Sequence, residues 1–210
     1  MAAPSYPLAH PSTPGFIQSR WSLQRAVGHT MSPFSGNQQV QEYDLALWKA
    51  NITLPPMKRS QASDWVAFFV RLHGRRGTFA LGDPDGQTLQ GVCPSATLSS
   101  NVAVGDFDLP LSVGNVSASG TYNDAFKAGD YVQLGSGGNR KLYMVVATVN
   151  ASSGALTLEV EPRLKAAGSS GDTVVLASTK CIMRMDTNEL GWDADHVSKY
   201  GLSFSCTEAI

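Results

Sequence analysis

The sequence predicts a mainly β protein: a β-sandwich domain with one α-helix, carrying an inserted small β-barrel domain. Three observations carry this expectation. Only residues 60–73 place apolar side chains at helical spacing. Long segments near both ends alternate apolar and polar residues with period two, as half-buried strands do. Between about residues 120 and 179, short alternating runs are separated by glycine-bearing turns, the pattern of a small barrel of about five or six strands.

The first fifteen residues hold Pro4, Pro7, Pro11 and Pro14. Proline fixes φ and lacks an amide hydrogen, so residues 1–15 are expected as an extended arm, either loose or docked on a neighbour. Residues 16–27 form the first expected strand, with Ile17, Ser19, Trp21 and Leu23 on one face and Gln18, Arg20 and Gln24 on the other. Residues 28–39 are expected as a polar loop. Residues 43–54 form the second strand, in which Trp48, Ala50, Ile52 and Leu54 alternate with Lys49, Asn51 and Thr53. Pro55 and Pro56 end it. Ser60 is the expected helix N-cap. Trp65, Phe68, Phe69 and Leu72 then make one apolar stripe, and Gly74 supplies a left-handed stop. A short strand at residues 78–81 runs into the turn Asp83-Pro84-Asp85-Gly86.

Residues 91–119 shift to Ser, Val, Ala, Asn and Gly, read as a linker or short weak strands. Residues 126–130 form a turn before a strand at 131–134, and residues 135–139 form a hairpin turn before one at 141–149. Strands at 155–160 and 173–177 follow. Residues 181–185 return to alternation, 188–193 read as a loop, and 199–207 as a final strand with Tyr200, Leu202, Phe204 and Cys206 on one face. The expected organisation is an arm at 1–15, one sheet-and-helix domain from 16–90 plus 180–210, and an inserted domain at 92–179.

Charged residues make up 16% of the chain, against roughly 25% in ordinary soluble domains. Such a surface is either covered by neighbours or kept soluble by its Ser, Thr, Asn and Gln. The net charge of −1, without a Lys/Arg run longer than a pair apart from Arg71 with Arg75-Arg76, argues against sequence-specific nucleic-acid binding as the main task, which needs a clustered positive field. Residues 1–15 show no secretory pattern, and no apolar stretch approaches the roughly 20 residues of a membrane span. Cys93, Cys181 and Cys206 have no metal-binding spacing and read as core thiols.

The chemistry-bearing residues form no catalytic pattern. His10, His29, His73 and His196 pair with no serine or cysteine at a known spacing. Asp193-Ala194-Asp195-His196 is the best metal candidate and reads as a solvated turn. Gly135 to Gly138 lacks the Gly-Lys-Ser/Thr of a phosphate loop. Glu159 and Glu161 share a strand face and read as surface charges. No catalytic, cofactor or metal residue is assigned. Trp21, Trp48 and Trp65 lie on expected buried faces, whereas Trp192 lies in an expected loop. Trp192, Tyr122 and Tyr131 are the candidates for an interface or a glycan contact, with Phe126 and Tyr143 as further aromatics of the inserted domain.

The segment Ser32-Pro33-Phe34-Ser35-Gly36-Asn37-Gln38-Gln39, the strand ending Leu54-Pro55-Pro56-Met57, Trp65, and Gly77-Thr78-Phe79-Ala80-Leu81-Gly82-Asp83-Pro84 together resemble minor tail proteins of long-tailed bacteriophages. Phe126-Lys127-Ala128-Gly129-Asp130-Tyr131-Val132-Gln133-Leu134-Gly135 is similar to a second segment of the same proteins. The resemblance is greatest to distal tail proteins. It implies a structural, non-enzymatic virion protein whose β-sandwich forms a ring of six copies at the tail tip. Implied partners are further copies of the chain, the tail tube protein, the tail hub, other tip proteins and the tape measure protein. DNA would pass through the lumen without specific binding, and no cofactor or membrane is implied. The implied location is the virion tail tip, assembled in the bacterial host cytoplasm. In familiar distal tail proteins the peripheral domain often follows the ring domain, whereas here it reads as an insertion. The alternative reading is a carbohydrate-binding module that contacts the host surface.

Overall fold

The structure, a computed structural model, describes residues 4–114, 121–194 and 199–210. In chain order the elements are β1 (Gln18–Met31), β2 (Gln38–Thr53), β3 (Met57–Lys58), α1 (Arg59–Leu72), β4 (Phe79–Leu81), β5 (Ala96–Leu98), β6 (Asp108–Val113), β7 (Thr121–Phe126), β8 (Tyr131–Leu134), β9 (Lys141–Val145), β10 (Val149–Ser152), β11 (Ala155–Glu161), β12 (Thr173–Val174), β13 (Cys181–Met185), β14 (Asp193–Ala194), β15 (Lys199–Gly201) and β16 (Ser203–Glu208). The protein is mainly β with antiparallel sheets, and α1 is the one α-helix among the described residues.

The first sheet has the order β1-β2-β16-β13-β4, so the C-terminal strand pairs with the N-terminal ribbon. The second has the order β12-β5-β6-β11-β10-β7, with β9 added to β11 and β8 to β9. A small third sheet joins β14, β15 and β3. No sheet closes into a barrel, contrary to the expected closed insert. The reason is local: β12 has only two residues, and beyond it a single bridge, Gln133 with Val175, reaches β8. Two backbone bonds of 3.0 and 2.9 Å make that bridge, too few for a ladder.

Helix α1 packs Ala62, Trp65, Phe68, Phe69 and Leu72 against the first sheet, as the apolar stripe predicts. Its start differs from expectation. Lys58, not Ser60, occupies the cap position, without a side-chain bond. Lys58 is still paired with Lys199 in the third sheet, so the chain passes directly from strand to helix. The stop also begins one residue early, with His73 at φ 52° and Gly74 at φ 64°. Glycine is required at 74, because a Cβ there would sit 2.8 Å from Asn188 Oδ1.

The arm packs on its own chain. Leu8 N donates to Thr78 O at 2.9 Å, and Tyr6 Oη donates to Arg71 O at 3.0 Å. Leu8 is buried beside β4, and His10 stacks on Trp65 with ring centroids 5.9 Å apart. The expected final strand is broken at Leu202, whose carbonyl accepts from Leu54 N at 2.9 Å. Its two halves, β15 and β16, therefore join different sheets.

Two buried clusters result. One gathers α1, the first sheet and Leu8, with Trp48, Phe79, Met183, Phe204 and Cys206. The other gathers residues of the second sheet, including Leu109, Leu111, Phe126, Leu158 and Val174. Each fully buried large apolar side chain contributes roughly 1.5–3 kcal/mol. Strand β9 serves both clusters: Leu142 belongs to the first, while Tyr143 and Val145 belong to the second. Opposite faces of one strand thus meet different cores.

Candidate interaction surface

Half of the expected polar loop at 28–39 is strand. β1 continues to Met31 and β2 begins at Gln38, so the two pair as a long ribbon whose tip is only residues 32–37. Backbone pairing needs no apolar alternation, which is why a polar composition did not prevent it. At the tip, Ser32 N donates to Asn37 O at 2.9 Å and Gly36 N donates to Ser32 O at 3.0 Å. Gly36 takes φ 69°, a left-handed value that glycine adopts without strain.

Register places Val27 opposite Glu42, His29 opposite Val40 and Met31 opposite Gln38. Paired residues share a face, so Val27, Met31 and Val40 form an apolar line along one side of the ribbon. All three are exposed, Val40 to 61%, and Phe34 at the tip is 99% exposed. Tyr43 and Leu45 are exposed nearer the root. No Asp, Glu, Lys or Arg occurs from residue 26 to 41. The ribbon therefore lacks the charges that usually protect a free edge from pairing.

Its root is held on the second sheet. Between Arg25 and Val27 the register shifts, leaving Tyr43, Asp44 and Leu45 opposite Ala26. Arg25 Nη2 lies 2.9 Å from Glu161 Oε2, and Arg25 Nη1 lies 3.8 Å from Glu42 Oε1. Arg163 Nη1 donates to Asp44 Oδ1 at 3.2 Å, and its guanidinium stacks over Phe107 at 4.5 Å. Glu161 is thus an ion-pair partner of the ribbon root.

A second exposed apolar surface lies beside α1. Trp192 is 47% exposed and Val70 57% exposed, and with Val66, Ala67, Tyr200 and Arg59 they line a groove of about 360 Å³. Trp192 is thus placed with helix residues. Tyr122 and Tyr131 are elsewhere. Tyr122 sits on β7 against the second core. Tyr131 packs edge-on to Trp48 at 5.9 Å and covers Gly86, with its hydroxyl 3.5 Å from Asp83 Oδ2. Burial first, then the Asp83 charge, pushes its pKa up to about 12. Phe126 and Tyr143 are fully buried and offer no stacking face. The Tyr143 hydroxyl accepts from Lys165 N at 3.0 Å.

Between the cores, Glu208 Oε2 accepts from Trp48 N at 3.1 Å and pairs with Lys165 Nζ. Lys141 Nζ donates to Ala209 O at 3.1 Å. Burial lowers the Lys165 pKa, while Glu208 opposes that shift. These groups tie the C-terminal strand to the second sheet.

His10 is stacked in the arm, His29 is on the ribbon and His73 ends the helix. Of the metal candidate, Asp195 and His196 lie outside the described residues. Among the described residues no three His, Cys, Asp or Glu side chains are grouped to hold a metal ion. The three cysteines are buried and unpaired with one another. Burial pushes the Cys93 thiol up to about 11 and raises Cys181 and Cys206 further.

The ribbon's exposed line, Val27, Met31, Phe34 and Val40, was not among the candidates from sequence. The signal for it is the absence of charge from residue 26 to 41 combined with β-compatible residues on both sides of Ser32-Pro33-Phe34-Ser35-Gly36-Asn37. No protein-family model matches the chain, and no curated protein is significantly similar to it.

Proposed function

We propose that the chain is a structural subunit of the tail tip of a long-tailed bacteriophage. In this reading six copies form a ring that joins the tail tube to the hub, and DNA passes through the lumen without specific binding. The ring domain is a β-sandwich of residues 16–90 plus 180–210, and residues 92–179 form an inserted β domain beside it. The two core clusters support this division. The tail tube protein, the hub, other tip proteins and the tape measure protein are the partners.

The observation that carries the reading is the ribbon of β1 and β2. An uncharged, apolar-lined projection exposed along its length is suited to be covered by another protein. The sparse charge of the whole chain fits repeated interfaces. The sequence resemblance supplies the phage-tail context.

Light scattering after size exclusion, with negative-stain imaging of the same fraction, tests the reading. The expected result is a closed ring of six copies, formed alone or on added tail tubes and hub. A chain that stays monomeric and fails to join either partner overturns it. The carbohydrate-binding reading has less support, since Phe126 and Tyr143 are buried and Tyr131 is packed between the cores.

A further inference from the structure

We infer that the cleft formed by β2, β16, β13 and the turn after α1 binds a small, multiply charged phosphate anion, held by Lys49, Arg75 and Arg184. The inference stands apart from the ring reading and does not rest on it.

Strand pairing brings two of the cations together. Thr207 of β16 lies opposite Lys49 of β2 on one side and opposite Arg184 of β13 on the other. Directly paired residues share a face, so the three form one row across the first sheet. Two strand spacings, about 10 Å, separate the backbones of Lys49 and Arg184. The row lies on the face turned away from the first core, because Trp48, Cys206 and Met183 alternate with these residues and point into that core.

The third cation comes from the short turn Gly74–Arg76. Arg184 Nη1 donates to Arg75 O at 3.0 Å, and Arg75 N donates to Asn188 Oδ1 at 3.0 Å. The backbone at Arg75 is thus held from both sides, and the same bond steadies the Arg184 guanidinium, which has further N–H groups to offer. Lys49, Arg75 and Arg184, with Gln24, Asp186 and Thr207, line a cleft of about 670 Å³.

The charge there is one-sided. Among the described residues, none of Lys49, Arg75 and Arg184 has a carboxylate within ion-pair distance. The Asp186 carboxylate accepts from the Thr207 hydroxyl. Glu208 also borders the cleft, but its side chain is buried and Lys165 meets its charge. In a chain with 16 Lys and Arg and a net charge of −1, three cations without acidic partners around one cleft set up a local positive field.

The chemistry of the lining selects the anion. Guanidinium groups match the paired oxygens of phosphate, and an ammonium adds a point charge. A single carboxylate would bring one charge to three cations, whereas two linked phosphate groups bring several and face both sides of the cleft. Apart from Met185 the lining is polar, so it offers little surface for stacking a base or burying an acyl chain. The phosphate groups themselves are what the cleft recognises.

Calorimetric titration of the full chain with inorganic pyrophosphate at low ionic strength tests this. Binding at one site is expected, weakening as salt is added. Lys49→Met and Arg184→Met are each expected to weaken it about tenfold. Lys127→Met removes the same charge from the inserted domain, where Lys127 pairs with Asp124, and is expected to leave binding unchanged. The Lys49 ammonium makes no ion pair, so its variant keeps the test sound if loss of the Arg184–Arg75 bond disturbs the turn. Adenosine diphosphate is expected to bind no more tightly than pyrophosphate. Absence of binding, or equal weakening by Lys127→Met and Lys49→Met, overturns the site. Tighter binding of adenosine diphosphate overturns recognition through the phosphates alone.

Discussion

The indole N–H of Trp48 donates to the carbonyl of Leu142 at 2.9 Å, a bond from the first sheet to the strand shared by both cores. Trp48 is buried, so its N–H has no water to turn to if that acceptor is lost. The same residue's backbone N–H is held by Glu208. Trp48 is therefore a point where the two cores are fastened. Trp48→Phe keeps most of the apolar volume but leaves the Leu142 carbonyl without its donor. The expected loss is about 1–3 kcal/mol of unfolding free energy, read by urea denaturation. A loss near zero would show that the bond does not fasten the cores.

Glu208 gives a larger effect. Its carboxylate is fully buried, faces the Lys165 ammonium and accepts from Trp48 N. Glu208→Ala strands a buried cation and a buried amide together. Breaking a buried pair from one side costs roughly 3–5 kcal/mol. Glu208→Gln keeps an acceptor for the amide and is expected to cost less. If the two variants are equally stable, the charge and the acceptor have been misassigned.

Arg25 and Glu161 behave differently because both are partly in water. An exposed pair of this kind contributes about 0–1 kcal/mol, so Arg25→Ala should change the melting temperature little. Its effect should be local, since the pair fixes the ribbon root to the second sheet. Amide hydrogen exchange is expected to quicken in residues 26–45 and to stay unchanged in α1. Unchanged exchange in the ribbon would mean that backbone pairing alone sets its direction.

The sequence made the helix and the inward faces legible because those features are local. Trp65, Phe68, Phe69 and Leu72 announce a stripe, and Trp48, Ala50 and Ile52 announce a strand face, whatever else is present. It left the ribbon hidden, since residues 28–31 and 38–42 owe their strand form to each other and not to an apolar pattern. The Lys58 start of α1 was hidden for a related reason: its cap position is fixed by pairing with Lys199, far away in the chain. The double role of β9 was equally non-local, as Leu142 and Tyr143 are assigned to cores only once both sheets are placed. Of the candidate site residues, Trp192 is exposed in a groove, while Tyr131 and Tyr143 are drawn into packing that no spacing rule reveals.

Thiol chemistry offers a check on the cores. Cys93, Cys181 and Cys206 are buried, and burial holds each thiol in its protonated form. The thiolate is the reactive species, so the folded protein should react with a chromogenic disulfide reagent far more slowly than a free thiol does. Three thiols should titrate once denaturant is added. Prompt reaction of one thiol in the folded protein would place that cysteine at an opening the packing does not show.

The arm should respond to pH through His10. Its ring stacks on Trp65, and its Nδ1 donates to Pro11 O at 2.8 Å. Burial lowers its pKa below the usual 6.5; the Pro11 bond works against that shift, and Lys180 adds to it. In the unfolded chain the imidazole binds its proton at a higher pH than in the folded one. Stability from the docked arm is therefore complete above pH 6.5 and is lost as pH falls through the lowered value. Acidification is expected to weaken the arm's packing and change the fluorescence of Trp65, while His10→Phe keeps an aromatic ring there without a titrating group. That variant should lose the part of the stability change that begins just below pH 6.5. If the variant and the parent chain follow the same pH curve through that window, carboxylates and not His10 govern the acid response.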